Sequence, residues 1–96
     1  MTTFELIAQL ADASDTARAC AAYNLGLLGE TAAVPALLGL LKSRKAIDRR
    51  AATLALGKIG SAEALAGVQK VVNDTDAVVQ RFADEAIVGM RGNRAA

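Results

Sequence analysis

Hydrophobic residues along this chain recur with a period of 31 residues, and within each period they follow helical spacing. Five apolar positions recur in all three copies: Leu6, Leu37 and Val68; Leu10, Leu41 and Val72; Ala21, Ala52 and Ala83; Leu25, Leu56 and Ile87; and Leu28, Ile59 and Met90. In each copy these positions fall into two blocks separated by a short polar segment. The pattern predicts six helices, at residues 4–10, 15–28, 34–42, 48–59, 62–72 and 76–90.

Individual residues support several of these helix boundaries. Pro35 falls in the first turn of the third helix, where its missing N–H group leaves no hydrogen bond unmade. Gly60 follows the fourth helix, at the position where a left-handed residue commonly ends a helix. Asp76 begins the sixth helix and is placed to cap its first free N–H groups.

Helix pairs of this length cannot bury both of their apolar faces, so neighbouring pairs are expected to stack on one another. We therefore predict an all-α fold, an α-solenoid of three antiparallel helix pairs with its core along the alanines of the second helices. Residues 1–96 are expected to form one domain, with repeats at approximately 1–31, 32–62 and 63–93. In such a fold, function lies on an open surface and not in an enclosed pocket.

Three short motifs in the second copy resemble those of a known family. VPALL at residues 34–38, RRAA at 49–52 and LGKIG at 56–60 are similar to the HEAT-like repeat, in particular its short form in phycobilisome lyases. The first copy matches through LGLLG at 25–29, whereas the third copy lacks the glycines. The resemblance covers nearly the whole chain, and it implies that the second helix of each pair lines a concave surface.

The composition agrees with a helical fold and argues against several classes of enzyme. Hydrophobic residues make up 53% of the chain and aromatic residues only 3%, and there is one proline. The chain has no histidine, which excludes histidine-dependent triads, most zinc sites and the commonest general base at neutral pH. We therefore expect no catalytic residue, no cofactor and no metal.

Charge and hydropathy favour a cytoplasmic protein that binds neither nucleic acid nor membrane. The formal net charge is +1, so no strong overall field attracts anionic partners. The longest apolar stretch, residues 32–41, is about half the length of a membrane span. The single Cys20 cannot form an internal disulfide, which suits a reducing compartment, and we expect it to be buried as a small hydrophobic residue.

The resemblance also implies enzymatic alternatives. The family includes bilin lyase subunits, and a bilin lyase-like role on a chromophore–protein complex is the main alternative to a binding module. HEAT-type metal-dependent hydroxylases carry iron on His–Glu pairs, which a chain without histidine cannot form. HEAT-like DNA glycosylases present basic and aromatic residues on the concave face, whereas this chain has one tyrosine and no tryptophan.

We predict a non-catalytic protein–protein interaction module, an adaptor, scaffold or assembly factor, that binds another protein through its concave surface. The candidate contact residues lie on the second helices away from the core stripe: Tyr23, Leu27, Arg50, Thr53, Leu54, Lys58, Arg81, Asp84 and Glu85. The apolar members are expected to make the central contacts, and the basic members to select acidic partners. The alternative is that the apolar members only cover the alanine core beneath them.

The turns between paired helices are acidic in the first copy, basic in the second and acidic in the third. Equivalent turns of stacked repeats lie side by side, so the opposite charges of neighbouring turns are expected to attract each other. This attraction would fix the alignment of the repeats at both seams, the boundaries between neighbouring repeats. Arg18 and Arg49 recur at one helix position and are expected to hold the turns through carbonyl or carboxylate contacts. A phosphate or nucleic-acid patch is the alternative role for the basic cluster Lys42, Arg44, Lys45, Arg49 and Arg50.

The two ends of the solenoid decide whether the chain associates with itself. Gln9 and Gln69 stand where the middle copy has leucine, so both end repeats are expected to be partly capped and the chain monomeric. The alternative is a homodimer formed through apolar residues at the ends: Phe4, Ile7, Phe82, Val88 and Met90.

Overall fold

A computed structural model describes the backbone of residues 1–95 and the side chains of residues 1–89. The helices, in chain order, are α1 (Thr3–Gln9), α2 (Asp15–Leu28), α3 (Val34–Leu40), α4 (Ala46–Ile59), α5 (Ala62–Gln69) and α6 (Ala77–Ala95). A short 3₁₀ turn, Thr31–Ala33, leads into α3. Residues 1–95 contain no β-strand, so the predicted all-α fold with six helices is confirmed.

Helix α2 has the predicted bounds, whereas the other helices differ by a few residues at one or both ends. Helices α2 and α4 stop at Gly29 and Gly60, whose φ angles of 66° and 69° place them in the left-handed region. Arg91 occupies the equivalent position in α6, and α6 continues past it to Ala95. A side chain with a Cβ disfavours the left-handed conformation, so the third repeat lacks the stop signal of the first two.

Polar residues just before the helices explain where they begin. Thr2 and Glu5 form a capping box at the start of α1. The hydroxyls of Ser14 and Ser61 accept hydrogen bonds from backbone N–H groups in the first turns of α2 and α5. Asp76 accepts a hydrogen bond of 3.0 Å from the backbone N–H three residues on, so its predicted role as the cap of α6 is confirmed.

The helices form two layers. Helix α4 packs between α2 and α6 in an inner layer, and α1, α3 and α5 each pack on the inner helix of their own pair. The molecule is elongated, measuring 39 × 28 × 16 Å. The buried core between the layers is built mainly from alanine and leucine: Leu6, Leu10, Ala21, Ala22, Leu25, Leu37, Ala52, Ala55, Leu56, Ala64, Val68 and Ala83.

Glycines at one repeat position set the spacing of the inner helices. A Cβ atom added at Gly26 of α2 would lie 2.8 Å from the Cα atom of Ala55 in α4. A Cβ atom added at Gly57 of α4 would lie 2.9 Å from the Cβ atom of Ala86 in α6. Both distances are shorter than non-bonded carbon atoms tolerate, so the close packing of the inner layer requires glycine at both positions.

None of the helices in residues 1–95 is both long and apolar enough to cross a membrane.

We expect Gly26→Val to lower the free energy of unfolding by about 1–3 kcal/mol, because the added methyl groups force α2 and α4 apart. Gly39→Ala is the matched control, since a Cβ added at Gly39 in α3 meets no atom within 4 Å beyond its chain neighbours and the nearby backbone of its own helix. The control should be neutral or stabilising, by up to about 1 kcal/mol, because alanine favours the helix. Urea unfolding followed by circular dichroism measures both, and equal effects would contradict glycine-limited packing.

Candidate functional site

An apolar groove lies on the inner face, between α2 and α4, and a side chain from α6 reaches its far side. We call it the inner groove; its volume is about 390 Å³. The residues that line it are Ala19, Cys20, Tyr23, Asn24, Ile47, Arg50, Ala51, Leu54 and Phe82. This lining is mostly apolar, which makes the inner groove the leading candidate for contact with a partner.

Helical spacing brings these side chains together. On α2, Ala19 and Tyr23 are four residues apart and share one face. On α4, Ile47, Ala51 and Leu54 share one face at spacings of four and three residues. The two alanines are small and half-buried, so they leave depth between the larger side chains. Tyr23 and Ile47 remain 46% and 41% exposed, so substantial apolar surface is open to a ligand.

The inner groove continues between α4 and α6. Leu54 and Phe82 also line a smaller cavity of about 170 Å³, together with Lys58 and Glu85. The two cavities therefore share an apolar wall, and a single elongated ligand could contact both.

Lys58 lines the smaller cavity, beside Leu54 and Phe82, which line both cavities. Its Nζ atom is 6.0 Å from the centroid of the Tyr23 ring, at the outer limit of a cation–π contact. Lys58 belongs to the last turn of α4 and Tyr23 to α2, so this contact crosses the first seam between repeats. Among the residues with described side chains, no carboxylate lies within 4.0 Å of the Lys58 ammonium group.

Arg50 forms the rim of the inner groove and is held by a carboxylate of the next repeat. Its Nε and Nη2 atoms donate to the two carboxylate oxygens of Asp76 at 2.8 and 2.7 Å. This bidentate pair is the main reason that the pKa of Asp76 lies well below its ordinary value. Because Asp76 also caps α6, the pair fixes the start of α6 against α4.

Arg81, another predicted basic contact residue, is also paired with a carboxylate. The Nε atom of Arg81 lies 3.7 Å from the Glu85 carboxylate, one turn further along α6, and both side chains are exposed. Of the three predicted basic contact residues, two therefore have a carboxylate partner within this chain and Lys58 has none among the described side chains.

The expectation that Thr53 is exposed is wrong. Thr53 is completely buried, and its hydroxyl donates to the Arg49 carbonyl oxygen at 2.7 Å. Its repeat position faces α6, which covers it, so Thr53 supports the wall of the groove and offers no contact surface.

Two further predicted residues lie outside the inner groove. Leu27 is exposed in a separate cavity at the end of the solenoid formed by α1 and α2, which is lined by Met1, Leu6, Gln9, Asn24, Leu27 and Leu28. Asp84 lies at the opposite end, in a cavity lined by Gln69, Val72, Asp84, Ile87 and Val88. The predicted single contact surface is therefore divided between the groove and the two end faces.

Six of the nine groove residues were not among the predicted contacts: Ala19, Cys20, Asn24, Ile47, Ala51 and Phe82. Phe82, which the sequence analysis assigned to an end of the solenoid, lies in the inner groove. Cys20 was expected to be buried but is exposed there, and Ile47 had no predicted role. The 31-residue period could have indicated that some of these residues share a surface. Cys20, Ala51 and Phe82 occupy one repeat position, and all three line the inner groove.

The ends of the solenoid expose apolar side chains. Phe4 and Val88 are exposed, and Ile7 is half-buried. Of the two end glutamines, Gln9 is half-buried and Gln69 is exposed. The side chain of Met90, the remaining residue of the predicted ends, lies outside the described residues. Self-association through these ends remains a prediction.

Opposite charges pair across both seams, but Lys45 is the one predicted basic turn residue that takes part among the described side chains. At the first seam, Arg18 Nε donates to Asp48 Oδ1 and Lys45 Nζ to Asp15 Oδ1, each at 2.9 Å. At the second seam, Arg49 donates to both Asp74 oxygens at 3.0 and 3.1 Å. These pairs join neighbouring repeats and give most of the basic cluster a structural role.

The recurring arginines also hold their own turns. Arg18 Nη1 donates to the Asp12 carbonyl oxygen at 2.7 Å, and Arg49 Nη1 to the Ser43 carbonyl oxygen at 3.0 Å. In the third repeat, Gln80 keeps only this contact with its own turn, donating to the Asp74 carbonyl oxygen. The predicted structural role of Arg18 and Arg49 is confirmed.

Among the side chains of residues 1–89, no group of three or more metal-ligating residues is placed to hold a metal ion. The candidate site is thus the apolar inner groove, with the Lys58 ammonium group at one end.

We expect the free energy of unfolding to fall as the pH is lowered from about 5 to about 2. The pKa values of Asp15, Asp74 and Asp76 lie below their ordinary value in the folded chain, mainly because Lys45, Arg49 and Arg50 respectively donate to them. Their stabilising effect is therefore complete above the ordinary pKa and is lost as the pH falls through the lowered folded-state values. Urea unfolding across this pH range measures the loss.

Asp74→Asn is the test variant for this dependence. It should be less stable than the wild type by about 1–3 kcal/mol at neutral pH, since Arg49 loses a charged partner. Its stability should also depend less steeply on pH, because one titrating carboxyl group is gone. A variant that keeps the full wild-type pH dependence would contradict the role of this pair.

Comparison with known proteins places the chain in a family. The sequence model of the family described as HEAT repeats matches residues 4–87. A comparison with curated proteins finds no match. Among solved structures, human deoxyhypusine hydroxylase in complex with glycerol is similar, with a TM-score of 0.87 and 28% sequence identity.

That similarity covers 94% of this chain but only 32% of the hydroxylase chain. This protein therefore spans about a third of the length of its structural relative. Since the family match extends over most of the chain, and the structure has the stacked helix pairs expected of such repeats, this chain belongs to the HEAT repeat family.

Proposed function

We propose that this chain is a non-catalytic binding module that holds a segment of another protein in the inner groove. The observation that carries the proposal is the open, mostly apolar groove between α2 and α4, with Tyr23 and Ile47 exposed along it. Apolar surface left in water is unfavourable, and a groove of this kind gains free energy when a complementary apolar surface covers it.

The residue types of the groove suit protein recognition. Tyr23 and Phe82 provide aromatic surface within the groove, and Arg50 stands at its rim. Aromatic residues and arginine are enriched where protein interfaces gain most of their binding energy. The lining includes one thiol and one phenol but no carboxylate or imidazole that could activate them, which supports binding without catalysis.

The groove is held in shape before any ligand arrives. The Arg50–Asp76 pair fixes one rim, and the close contact of Gly26 with Ala55 fixes the distance between α2 and α4. A preformed surface loses little conformational entropy on binding, so more of the contact energy appears as affinity.

An amphipathic helix is the segment that this groove fits best. Its lining consists of side chains on helices, and the backbone groups of those helices are already paired within them. The groove therefore offers no free strand edge for an extended peptide to join. Helix binding in grooves instead uses apolar side chains spaced three, four and seven residues apart.

The activity of the structural relative does not carry over to this proposal. This chain matches only 32% of human deoxyhypusine hydroxylase. In the HEAT-type hydroxylases that the sequence resembles, iron is carried on His–Glu pairs, and this chain has no histidine. We further propose that the module acts as a monomer in the cytoplasm, where the exposed thiol of Cys20 would stay reduced.

The test is selection from a phage-displayed library of random peptides of about 16 residues, roughly 24 Å long as helices. Peptides that bind the wild type are then measured against Ile47→Asp. We expect this variant to weaken binding at least about tenfold, because it places a carboxylate in the apolar groove. Ile47 is exposed and lies in the first turn of α4, where an acidic residue suits the helix dipole and the fold is retained.

Phe4→Asp is the matched control. Phe4 occupies the same position of α1 that Ile47 occupies in α4, is 87% exposed, and does not line the groove. The control should bind the selected peptides as the wild type does. Failure to select any peptide that distinguishes Ile47→Asp from Phe4→Asp would overturn the proposal.

A further inference from the structure

The basic residues of the inner face differ in what they are free to bind. The Arg50 guanidinium is occupied by Asp76 through two hydrogen bonds, and Arg81 lies beside Glu85. Lys58 has no carboxylate partner among the described side chains. Among the described side chains of the inner face, Lys58 is therefore the basic residue without a carboxylate partner.

The position of Lys58 makes this charge available to a ligand in the groove. The lysine lines the smaller cavity beside Leu54 and Phe82, which also line the inner groove. Its ammonium group lies over the Tyr23 ring, which belongs to the lining of the inner groove. A ligand that covers this apolar surface would therefore bring its own side chains close to the Lys58 ammonium group.

A ligand that covers this apolar surface also removes water from around Lys58. An ammonium group that loses water without gaining a partner costs free energy, so an apolar ligand with no acidic group would be disfavoured there. A carboxylate on the ligand would restore the lost interactions, and the Tyr23 ring face already stabilises the cation from one side. A basic ligand would be repelled by the same charge.

We infer that the partner segment is an acidic amphipathic helix: its apolar side chains fill the inner groove, and one of its carboxylates binds the Lys58 ammonium group beside Tyr23. This inference rests on the proposed function and adds the chemistry of the partner. Lys58 sets the specificity of the groove, whereas Arg50 joins α4 to the start of α6 through Asp76.

The selected peptides test this inference directly. We expect them to be enriched in Asp or Glu at a fixed spacing from their apolar residues, and we expect selection on Lys58→Glu to remove that enrichment. Lys58→Met should weaken individual acidic peptides about two- to fivefold at low salt, and the difference should shrink in about 0.5 M NaCl. Lys58→Arg, which keeps the charge, should bind as the wild type does.

Lys42→Met is the control for loss of a positive charge elsewhere, because Lys42 is exposed in the turn after α3 and lines no part of the groove. Groove-dependent peptides with no acidic enrichment, equally tight on Lys58→Met and the wild type, would overturn the inference and leave the groove proposal intact. A library without groove-dependent peptides would overturn both.

Discussion

The inner helices can approach one another closely only because glycine stands where they touch. At Gly26 and Gly57 the neighbouring helix comes so near that a Cβ atom would overlap an alanine of the next repeat. Close approach at these points aligns α2, α4 and α6 into one layer, and the inner groove is a feature of that layer. The site therefore depends on a backbone contact that includes none of the groove side chains.

Ion pairs between neighbouring repeats further fix how the packed helices align. Each recurring arginine donates to at least one carbonyl oxygen of its own turn and to a carboxylate of the next repeat, so one side chain fixes the turn and the seam together. In the third repeat Gln80 retains the contact with its own turn, and Val88 stands where the first two repeats have glycine. The outer face of α6 thus lacks both features that form the two seams inside the molecule.

The sequence predicted the fold well because its 31-residue period encodes both the helix pairs and their stacking. Site prediction was less complete, and the period explains why. Helical spacing tells which way a side chain points from its own helix, but not whether the neighbouring repeat covers it. Thr53 and Asp84 occupy one repeat position that faces the next repeat, so Thr53 is buried under α6 whereas Asp84 is exposed. Leu27 and Lys58 occupy a position that faces the preceding repeat, and only Lys58 has Tyr23 to lie against.

The most direct test of a binding role for the inner groove uses its single thiol. Cys20 is exposed in the groove and is the only cysteine of the chain, so its rate of alkylation reports whether the groove is covered. Alkylation should be fast in the free protein and should slow in proportion to the fraction of protein bound when a peptide selected on the wild type is added. A saturating peptide that leaves the alkylation rate unchanged would contradict the account, because binding would then occur on another surface.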